Sequence, residues 1–333
     1  MLKMSSEPAA PARRATLHGP TMGTRWSASV DAGSTVDLAA LRENLAAAVE
    51  QIDRQMSPWK PHSDLMRLNR APVGDWVDLP AELLEVLDCA LEVRSLSAGA
   101  FDPCAGALVN AWGFGAVRDA PDSQAIRAAR QSRLLAANGC LELDRPSGRA
   151  RKLAPLQLDL CGIAKGYAVD CMARVLQQHG VRHALATLDG ELRAVGGQAG
   201  GMPWAVAIER PEKGHRAVHG VIELEDVAVA TSGDYRRYVQ AGDARIAHTM
   251  DTRRGAPVNN AVASVTVLAR TCMHADAWAT ALLVSGPDEG LAMAQRMRMD
   301  VLFLLRRPEG LTEVGLGRFG PSTDRPGLAC HAQ

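Results

Sequence analysis

The chain has 333 residues, of which 47% are hydrophobic, and its 37 lysines and arginines balance its 37 aspartates and glutamates. This length and hydrophobic content allow a large core, so the composition excludes a disordered protein. The formal net charge of zero argues against a nucleic-acid-binding protein, because binding to phosphate backbones normally requires an excess of basic residues.

The N-terminal segment 1–16 is rich in alanine, proline and serine, and we predict a disordered tail followed by a single domain over residues 17–333. No apolar run follows Arg13 and Arg14, so the segment resembles neither a secretory nor a twin-arginine signal. No stretch approaches the ~20 apolar residues of a membrane span. As written, the sequence predicts a cytoplasmic protein without a transmembrane segment.

Hydrophobic periodicity predicts a series of helices and strands along the chain. The predicted helices span residues 36–56, 80–97, 123–135, 163–178, 275–284 and 288–298. The predicted strands span residues 24–31, 156–160, 184–188, 204–208, 218–224, 227–230, 262–269 and 301–305. Strands follow one another without helices through 184–270, which favours a mixed α+β fold with largely antiparallel sheets and packed helices.

The seven cysteines indicate reduced thiols. Their number is odd, no pair has CxxC spacing, and several lie in apolar stretches. A disulfide framework or a zinc site is therefore disfavoured, and buried thiols in a reducing compartment are favoured.

The segment DLCGIAKG, residues 159–166, joins a predicted strand to a predicted helix through a glycine-containing turn. Free N–H groups at a helix start favour phosphate, and Lys165, one of only five lysines in the chain, adds a positive charge there. The spacing matches neither a Walker A loop nor a GxGxxG fingerprint. The segment by itself is thus a candidate phosphate site of no known motif class.

Asp276 and Thr280 are four residues apart near the start of a predicted helix, and therefore lie on one helical face. A carboxylate and a hydroxyl in this arrangement are suitable ligands for a hard cation such as Mg²⁺. The alternative is an aspartate that only complements the helix dipole.

Three further segments contain residues suited to ligand contacts. His248 is a candidate base, since histidine ordinarily titrates near neutral pH, although a histidine three residues before an aspartate is common. Trp59 follows a predicted helix, and two interpretations are open: its ring offers a flat face to a planar ligand, or it is an ordinary packing residue. The turn 99–106 is bracketed by glycines and contains Asp102 before a proline, and a structural turn explains it nearly as well.

Taken together, these segments resemble the family of FAD:protein FMN transferases, the ApbE-type flavin transferases. The matching segments are MGTRW (22–26), MSPW (56–59), 99–115, DLCGIAKGYAVD (159–170), ATSGDYRR (230–237), 248–257 and 264–286. The resemblance implies an α+β fold that binds FAD as substrate in a cleft. It also implies Mg²⁺-dependent transfer of FMN through a phosphoester to a threonine of an acceptor flavoprotein, with release of AMP. Implied acceptors include a subunit of a redox-driven ion pump or a flavin reductase.

The resemblance also assigns roles to individual residues. The implied FAD contacts are Met22, Trp59, Ala100, Phe101, Asp102, Asp159, Lys165 and Met250. The implied metal ligands are the Gly162 carbonyl and the side chains of Asp276 and Thr280. His248 matches the position of the base that activates the acceptor threonine.

Several residues differ from the family pattern, and two alternative functions follow. Cys161 and Asp189 stand where glycine is frequent, Thr252 where proline is usual, and Ala279 where some relatives have a second carboxylate. The lipoprotein signal of many periplasmic relatives is missing from the sequence as written. The alternatives are an FAD pyrophosphatase that forms FMN and AMP, and a non-catalytic FAD-binding protein.

Overall fold

The computed structural model describes residues 13–33, 35–117, 120–135, 139–212, 217–234, 238–241 and 244–320. The helices are α1 Leu38–Met56, α2 Asp64–Arg70, α3 Ala81–Leu96, α4 Gly106–Ala111, α5 Ser123–Leu135, α6 Ala164–Gln178 and α7 Cys272–Arg296. The first nine strands are β1 Arg13–Thr21, β2 Thr24–Ala32, β3 Val77–Asp78, β4 Leu141–Asp144, β5 Arg149–Lys152, β6 Ala184–Leu188, β7 Glu191–Val195, β8 Trp204–Glu209 and β9 Val218–Leu224. The remaining strands are β10 Ala228–Gly233, β11 Tyr238–Ala241, β12 Ala244–Ala247, β13 Met250–Asp251, β14 Ala256–Pro257, β15 Val262–Ala269, β16 Asp300–Arg307 and β17 Gly310–Leu316.

An eight-stranded sheet in the order β1-β2-β6-β7-β10-β15-β16-β17 forms the centre of the fold. Every pair of neighbouring strands in this sheet is antiparallel. The smaller sheets are β3-β5-β4, β8-β9, β11-β12 and β13-β14. The predicted α+β class with largely antiparallel sheets is therefore confirmed.

The two faces of the central sheet pack against different elements, as β15 illustrates. Val265 and Val267 of β15 belong to the main core, which also contains the buried faces of α1, α6 and α7. Leu268, which points to the opposite face, packs in a second cluster with Trp204 and Leu224 of the β8–β9 hairpin. Because both faces are covered, seven of the eight residues of β15 are buried. Such burial explains why a continuous apolar run forms this strand.

The predicted helices correspond closely to α1, α3, α5 and α6, and α7 contains the last two of them. Helix α7 is interrupted at Gly286, where φ is 79° and ψ is −179°, and the next residue is Pro287. Proline has no N–H to continue the helical hydrogen bonds, and only glycine adopts this backbone conformation without strain. The chain therefore bends between the two predicted helices instead of separating them by a loop.

Two predictions are wrong: the strand at residues 156–160 and the end of the N-terminal tail. Residues 156–160 form no strand, because Leu158 exchanges hydrogen bonds with the Asn69 side chain and the Asp159 N–H donates to the Pro103 carbonyl. Residues 13–16, which were predicted to belong to the tail, begin β1 and pair with β2. Residues 1–12 lie outside the described part of the chain.

The described part of the chain contains neither a disulfide bond nor a helix that could span a membrane. The six cysteines among them are all free thiols, and three of them, Cys89, Cys140 and Cys272, are buried, whereas Cys161 is exposed. None of the described helices combines the length and the apolar character that crossing a bilayer requires.

Candidate active site

Helices α6 and α7 contact each other through their N-terminal ends and run in opposite directions along the contact. The Gly166 N–H donates to the Asp276 carboxylate at 3.1 Å. Gly162 lies four residues before Gly166, in the turn that precedes α6, and Thr280 lies four residues after Asp276 in α7. A Cβ built on Gly162 would lie 3.1 Å from Thr280 Oγ1. The i, i+4 pair predicted on one helical face therefore meets the glycine-containing turn predicted as a phosphate site.

Glycine is required in this contact because the helices approach so closely. A Cβ on Gly166 would lie 2.3 Å from the carbonyl oxygen of Cys272 and 2.9 Å from Asp276 Cβ. A Cβ on Gly162 would also lie 3.3 Å from Phe101 Cε2. Two glycines four residues apart thus bring the backbone of the 162–166 turn against the Asp276 carboxylate and the Thr280 hydroxyl.

Asp276 is a buried carboxylate with an unusual environment. Its relative exposure is 4%. Burial, reinforced by the negative charge of Glu191, raises the pKa of the Asp276 carboxyl to about 8, against the opposing effects of the Lys165 ammonium and the Gly166 N–H. A cation placed next to this group would favour its ionised form.

The Lys165 ammonium lies between two carboxylates. Its Nζ is 2.7 Å from Glu191 Oε1 and 3.3 Å from Asp189 Oδ2. Burial opposes the charged form, but the charges of Glu191, Asp276 and Asp189 outweigh it and hold the pKa of Lys165 above its usual value. Asp189 has a left-handed backbone with a φ of 60°, at the position where the family frequently has glycine. Lys165 is therefore a fixed, charged group at the start of α6.

Sequence reasoning missed Glu191, although its position gives a signal. It is only 3% exposed and is the first residue of β7, two residues after Asp189.

We expect Glu191→Gln to lower the free energy of unfolding by about 1.5–3 kcal/mol, because hydrogen bonds to charged groups contribute roughly that much. Urea denaturation measures the change. Glu223→Gln, at an exposed position of β9, is the matched control, and an equal effect of the two substitutions would contradict this role.

The turn 99–106 packs against the 159–162 turn. Ala100 and Phe101 are both buried, and the Phe101 N–H donates to Ser97 Oγ at 3.1 Å. The Asp159 carboxylate accepts the Cys161 N–H at 2.7 Å and so shapes the turn that presents Gly162. The predicted FAD contacts Ala100, Phe101 and Asp159 are thus brought close to the predicted metal ligands.

Asp102 has strong partners within its own turn. Its carboxylate accepts the Cys104 N–H at 3.0 Å and lies 3.1 Å from Arg94 Nε. The side chain is fully buried in this arrangement, whereas its pair Arg94 is about a quarter exposed. These contacts hold the turn in shape, and they give Asp102 a structural role next to the buried Phe101.

Strand β10 ends at the same place and contributes a hydroxyl that sequence reasoning did not assign. Ser232 Oγ lies 3.1 Å from Thr280 Oγ1. The adjacent residues 235–237, which complete the ATSGDYRR segment (230–237), lie outside the described residues. Ser232 thereby orients the Thr280 hydroxyl from the sheet side of α7.

His248 and Met250 pack against α4 and the residues that follow it. Met250 is buried in a small cluster with Leu108 and Ala111 of α4. The His248 imidazole is partly exposed and meets the Phe114 ring edge to face, with 6.5 Å between centroids. The Thr252 hydroxyl, which donates to the Gly99 carbonyl at 3.3 Å, links this segment to the 99–106 turn.

Trp59 and Met22 are presented by other elements. Trp59 follows α1, and its side chain is half exposed, at 50%. Met22 lies in the turn between β1 and β2 with a φ of 44°, and it packs partly against the main core. The exposed indole is accessible to a ligand, and its role as a ligand surface stays a prediction.

Comparisons with known proteins show to which family the chain belongs. The ApbE family matches residues 22–303. The FAD:protein FMN transferase of Vibrio cholerae serotype O1 is 36% identical over 316 residues, which are 93% of each chain. That of Klebsiella pneumoniae is 34% identical and covers 92% of this chain and 89% of its own length. The chain belongs to the ApbE family.

Solved structures of ApbE proteins have the same fold. The flavin transferase ApbE from Vibrio cholerae has a TM-score of 0.84 at 34% identity, covering 93% of this chain and 99% of that one. The apo form of the flavinyl transferase ApbE from Pseudomonas stutzeri has a TM-score of 0.81 at 32% identity, covering 93% and 97%. The chain is thus a transferase with the ApbE fold, as its resemblance implied.

The donor groups of this ApbE protein fit a hard cation. Among the residues that the structure describes, no three histidine, cysteine, aspartate or glutamate side chains form a metal-binding group. The oxygens available at the α6–α7 contact are the Asp276 carboxylate, the Thr280 hydroxyl and the carbonyl of Gly162, whose missing Cβ leaves room beside Thr280. Such an all-oxygen set is the type that Mg²⁺ prefers, with the remaining positions left to water or phosphate.

Proposed function

We propose that this ApbE protein is a Mg²⁺-dependent FAD:protein FMN transferase, which uses FAD as substrate and transfers FMN to a threonine of an acceptor flavoprotein. The observation that supports the site is the convergence of Gly162, Asp276 and Thr280 at the α6–α7 contact, with Lys165 next to it. The names of the relatives support the overall reaction.

The reaction exchanges the phosphoanhydride bond of the FAD pyrophosphate for a phosphate ester. The acceptor threonine oxygen forms a bond to the FMN phosphorus, and the bond from that phosphorus to the bridging oxygen of the pyrophosphate breaks, which releases AMP. His248 accepts the threonine proton, since a hydroxyl is a weak nucleophile until a base assists it. Its partly exposed imidazole is accessible to an acceptor protein.

Gly162, Asp276 and Thr280 would hold the Mg²⁺. When bound, the ion supplies positive charge that neutralises the pyrophosphate and polarises the reacting phosphoryl group. Ser232 orients the Thr280 hydroxyl, and Glu191 holds the Lys165 ammonium in place. Ala100, Phe101, Asp159 and Met250 would form the walls of the FAD site, with Met22 and Trp59 along the flavin, and Asp102 holds the 99–106 turn that presents Ala100 and Phe101.

Mass spectrometry tests the proposed reaction directly. The protein is incubated with FAD, MgCl₂ and a validated acceptor domain from a redox-driven ion pump, and the acceptor mass and the AMP released are measured. We expect one FMN per acceptor with an equal amount of AMP, and no labelling after the target threonine is replaced by valine or when EDTA is added. Free FMN and AMP with an unlabelled acceptor would instead identify a pyrophosphatase, and copurifying FAD without any AMP would identify a binding protein.

His248→Ala tests the proposed base. We expect transfer to slow by about 10²–10⁴-fold, the usual contribution of general base catalysis, with little change in the affinity for FAD. Single-turnover labelling and fluorescence titration with FAD measure the two quantities. His219→Ala is the control, because His219 pairs with Glu313 outside this region. Equal transfer rates for His248→Ala and the wild type would refute the assignment.

A further inference from the structure

The N-terminus of α6 receives its hydrogen-bond acceptor from another helix. Its N-cap residue, Ile163, has no side chain that can accept a hydrogen bond from the first turn. The N–H groups of a first helical turn lack partners within the helix. Asp276 of α7 supplies the acceptor for the Gly166 N–H. The carboxylate proposed as a metal ligand therefore also caps α6.

Helix α6 supplies the same kind of cap to α7. The Asp170 carboxylate accepts the Cys272 N–H and the Met273 N–H, each at 2.9 Å. Asp170 is only 5% exposed, and Arg193 of β7 pairs with it at 2.5 Å. Each helix thus caps the other with a buried carboxylate, and Arg193 fixes one of the two carboxylates to the central sheet.

The spacing of these contacts constrains the position of α7. Asp170 follows Gly166 by four residues, and Cys272 precedes Asp276 by four. A helical turn contains 3.6 residues, so the two capping contacts lie about one turn apart on both helices. With one contact α7 could still slide or rotate against α6, whereas two contacts fix both its position along α6 and its rotation. Thr280 then lies a further turn along the same face.

We propose that Asp170 is a positioning residue that sets the register and rotation of α7 on α6, and thereby places the Asp276 and Thr280 oxygens opposite Gly162. The metal-binding part of this role rests on the proposed function. The geometric part does not, since the hydrogen bonds of Asp170 and Asp276 are formed within the protein chain.

A simple helix cap would stabilise α7 without positioning it, and the chain offers a matched control. Thr271 is the N-cap residue of α7, and its Oγ1 accepts the His274 N–H at 3.3 Å. Thr271→Ala therefore weakens the same helix end through a hydrogen bond that is local to α7. Asp170→Asn keeps the shape of the side chain but removes its charge and one of its two acceptor oxygens.

Hydrogen–deuterium exchange tests the positioning role in the full chain without metal or FAD. The reporter is the Gly166 amide, because its protection requires Asp276 to be in place. We expect exchange at Gly166 to be at least tenfold faster in Asp170→Asn and within twofold of wild type in Thr271→Ala. Unchanged exchange in Asp170→Asn, or equal acceleration in both variants, would overturn the proposal. If Asp170→Asn does not fold, Arg193→Met replaces it, and exchange must then be at least threefold faster for the proposal to stand.

Metal binding provides the second measurement. Free Mn²⁺ is counted by electron paramagnetic resonance during titration of the enzyme in the presence of FAD. We expect the Mn²⁺ dissociation constant to rise at least tenfold in Asp170→Asn and less than twofold in Thr271→Ala. Faster exchange at Gly166 with wild-type Mn²⁺ affinity would overturn the link to the metal site. If the wild type binds no Mn²⁺, the metal part of the proposed function fails, and the exchange result still decides whether Asp170 positions α7.

Discussion

Replacing Asp276 with alanine is expected to abolish FMN transfer. Asp276 is the one carboxylate among the three proposed metal ligands, and its contact with Gly166 places it at the start of α6. A bound metal ion contributes several kcal/mol to stabilisation of a charged transition state, so its loss corresponds to a rate decrease of about 1,000-fold or more. Labelling of an acceptor, followed by mass spectrometry at increasing MgCl₂, measures the effect.

The control for this substitution lies in the same helix. Asp288→Ala removes an exposed carboxylate beyond the bend at Gly286, and we expect transfer within twofold of wild type. Asp276→Ala also removes the cap on Gly166, so thermal melting must show that the variant remains folded at the assay temperature. Full activity of a folded Asp276→Ala protein would show that the metal is bound elsewhere or is not used.

Gly166→Ala is expected to disrupt both stability and metal binding. The added methyl group would lie 2.3 Å from a backbone carbonyl oxygen, that of Cys272, so a rotamer change cannot relieve the clash. Overpacking of a core costs about 1–3 kcal/mol, and we expect a value at the upper end because the backbone of α7 must move. Urea denaturation gives the loss in free energy of unfolding, and calorimetric titration gives the affinity for Mg²⁺.

Gly220→Ala is the control that distinguishes the effect of this clash from the general effect of replacing glycine with alanine. Gly220 of β9 has no atom within 4 Å of the position of an added Cβ. Gly220→Ala should therefore leave stability unchanged or raise it by about 0.5–1 kcal/mol, since alanine loses less backbone entropy on folding. Similar stability and Mg²⁺ affinity in both variants would contradict the argument that α6 and α7 must approach this closely.

Local patterns predicted most of the elements that form the site. The helical periodicity before and after Gly286 corresponds to the two halves of α7, and the i, i+4 spacing placed Asp276 and Thr280 on one face. The glycine-containing turn before α6 was also predicted as a site for a charged group. These features depend on neighbours within one or two helical turns, so they can be derived without the rest of the chain.

The sequence prediction missed both edge strands of the central sheet, as well as β7 inside it. Strands β1 and β17 form the two edges of the central sheet, and neither was predicted. Four of the seven residues of β17 are polar or glycine, and β1 contains Pro20, so neither has the apolar pattern of a buried strand. Their hydrogen bonds to β2 and β16 stabilise them instead, and no local pattern reveals such pairing.

The partners of the Lys165 ammonium come from segments that are distant in the sequence. Its position at the start of α6 indicated a phosphate contact, whereas in the structure its Nζ lies closest to Glu191, 26 residues further along the chain. The partners of Ser232 and Asp170 were not predicted for the same reason, since they lie on α7, 48 and 102 residues away. Hydrogen bonds over such separations exist only after the sheet has brought β7, β10 and α7 together.

The sequence by itself determined the neutral net charge, the fold class, the series of segments typical of a flavin transferase and the shared face of Asp276 and Thr280. The tertiary structure alone decided that this face meets Gly162 and Gly166, that Glu191 holds Lys165, and that Asp170 and Asp276 cap each other's helices. The physical reason is burial. A carboxylate at 4% exposure acquires its raised pKa and its partners from chain segments that are distant in sequence, whereas periodicity and composition are properties of the local chain.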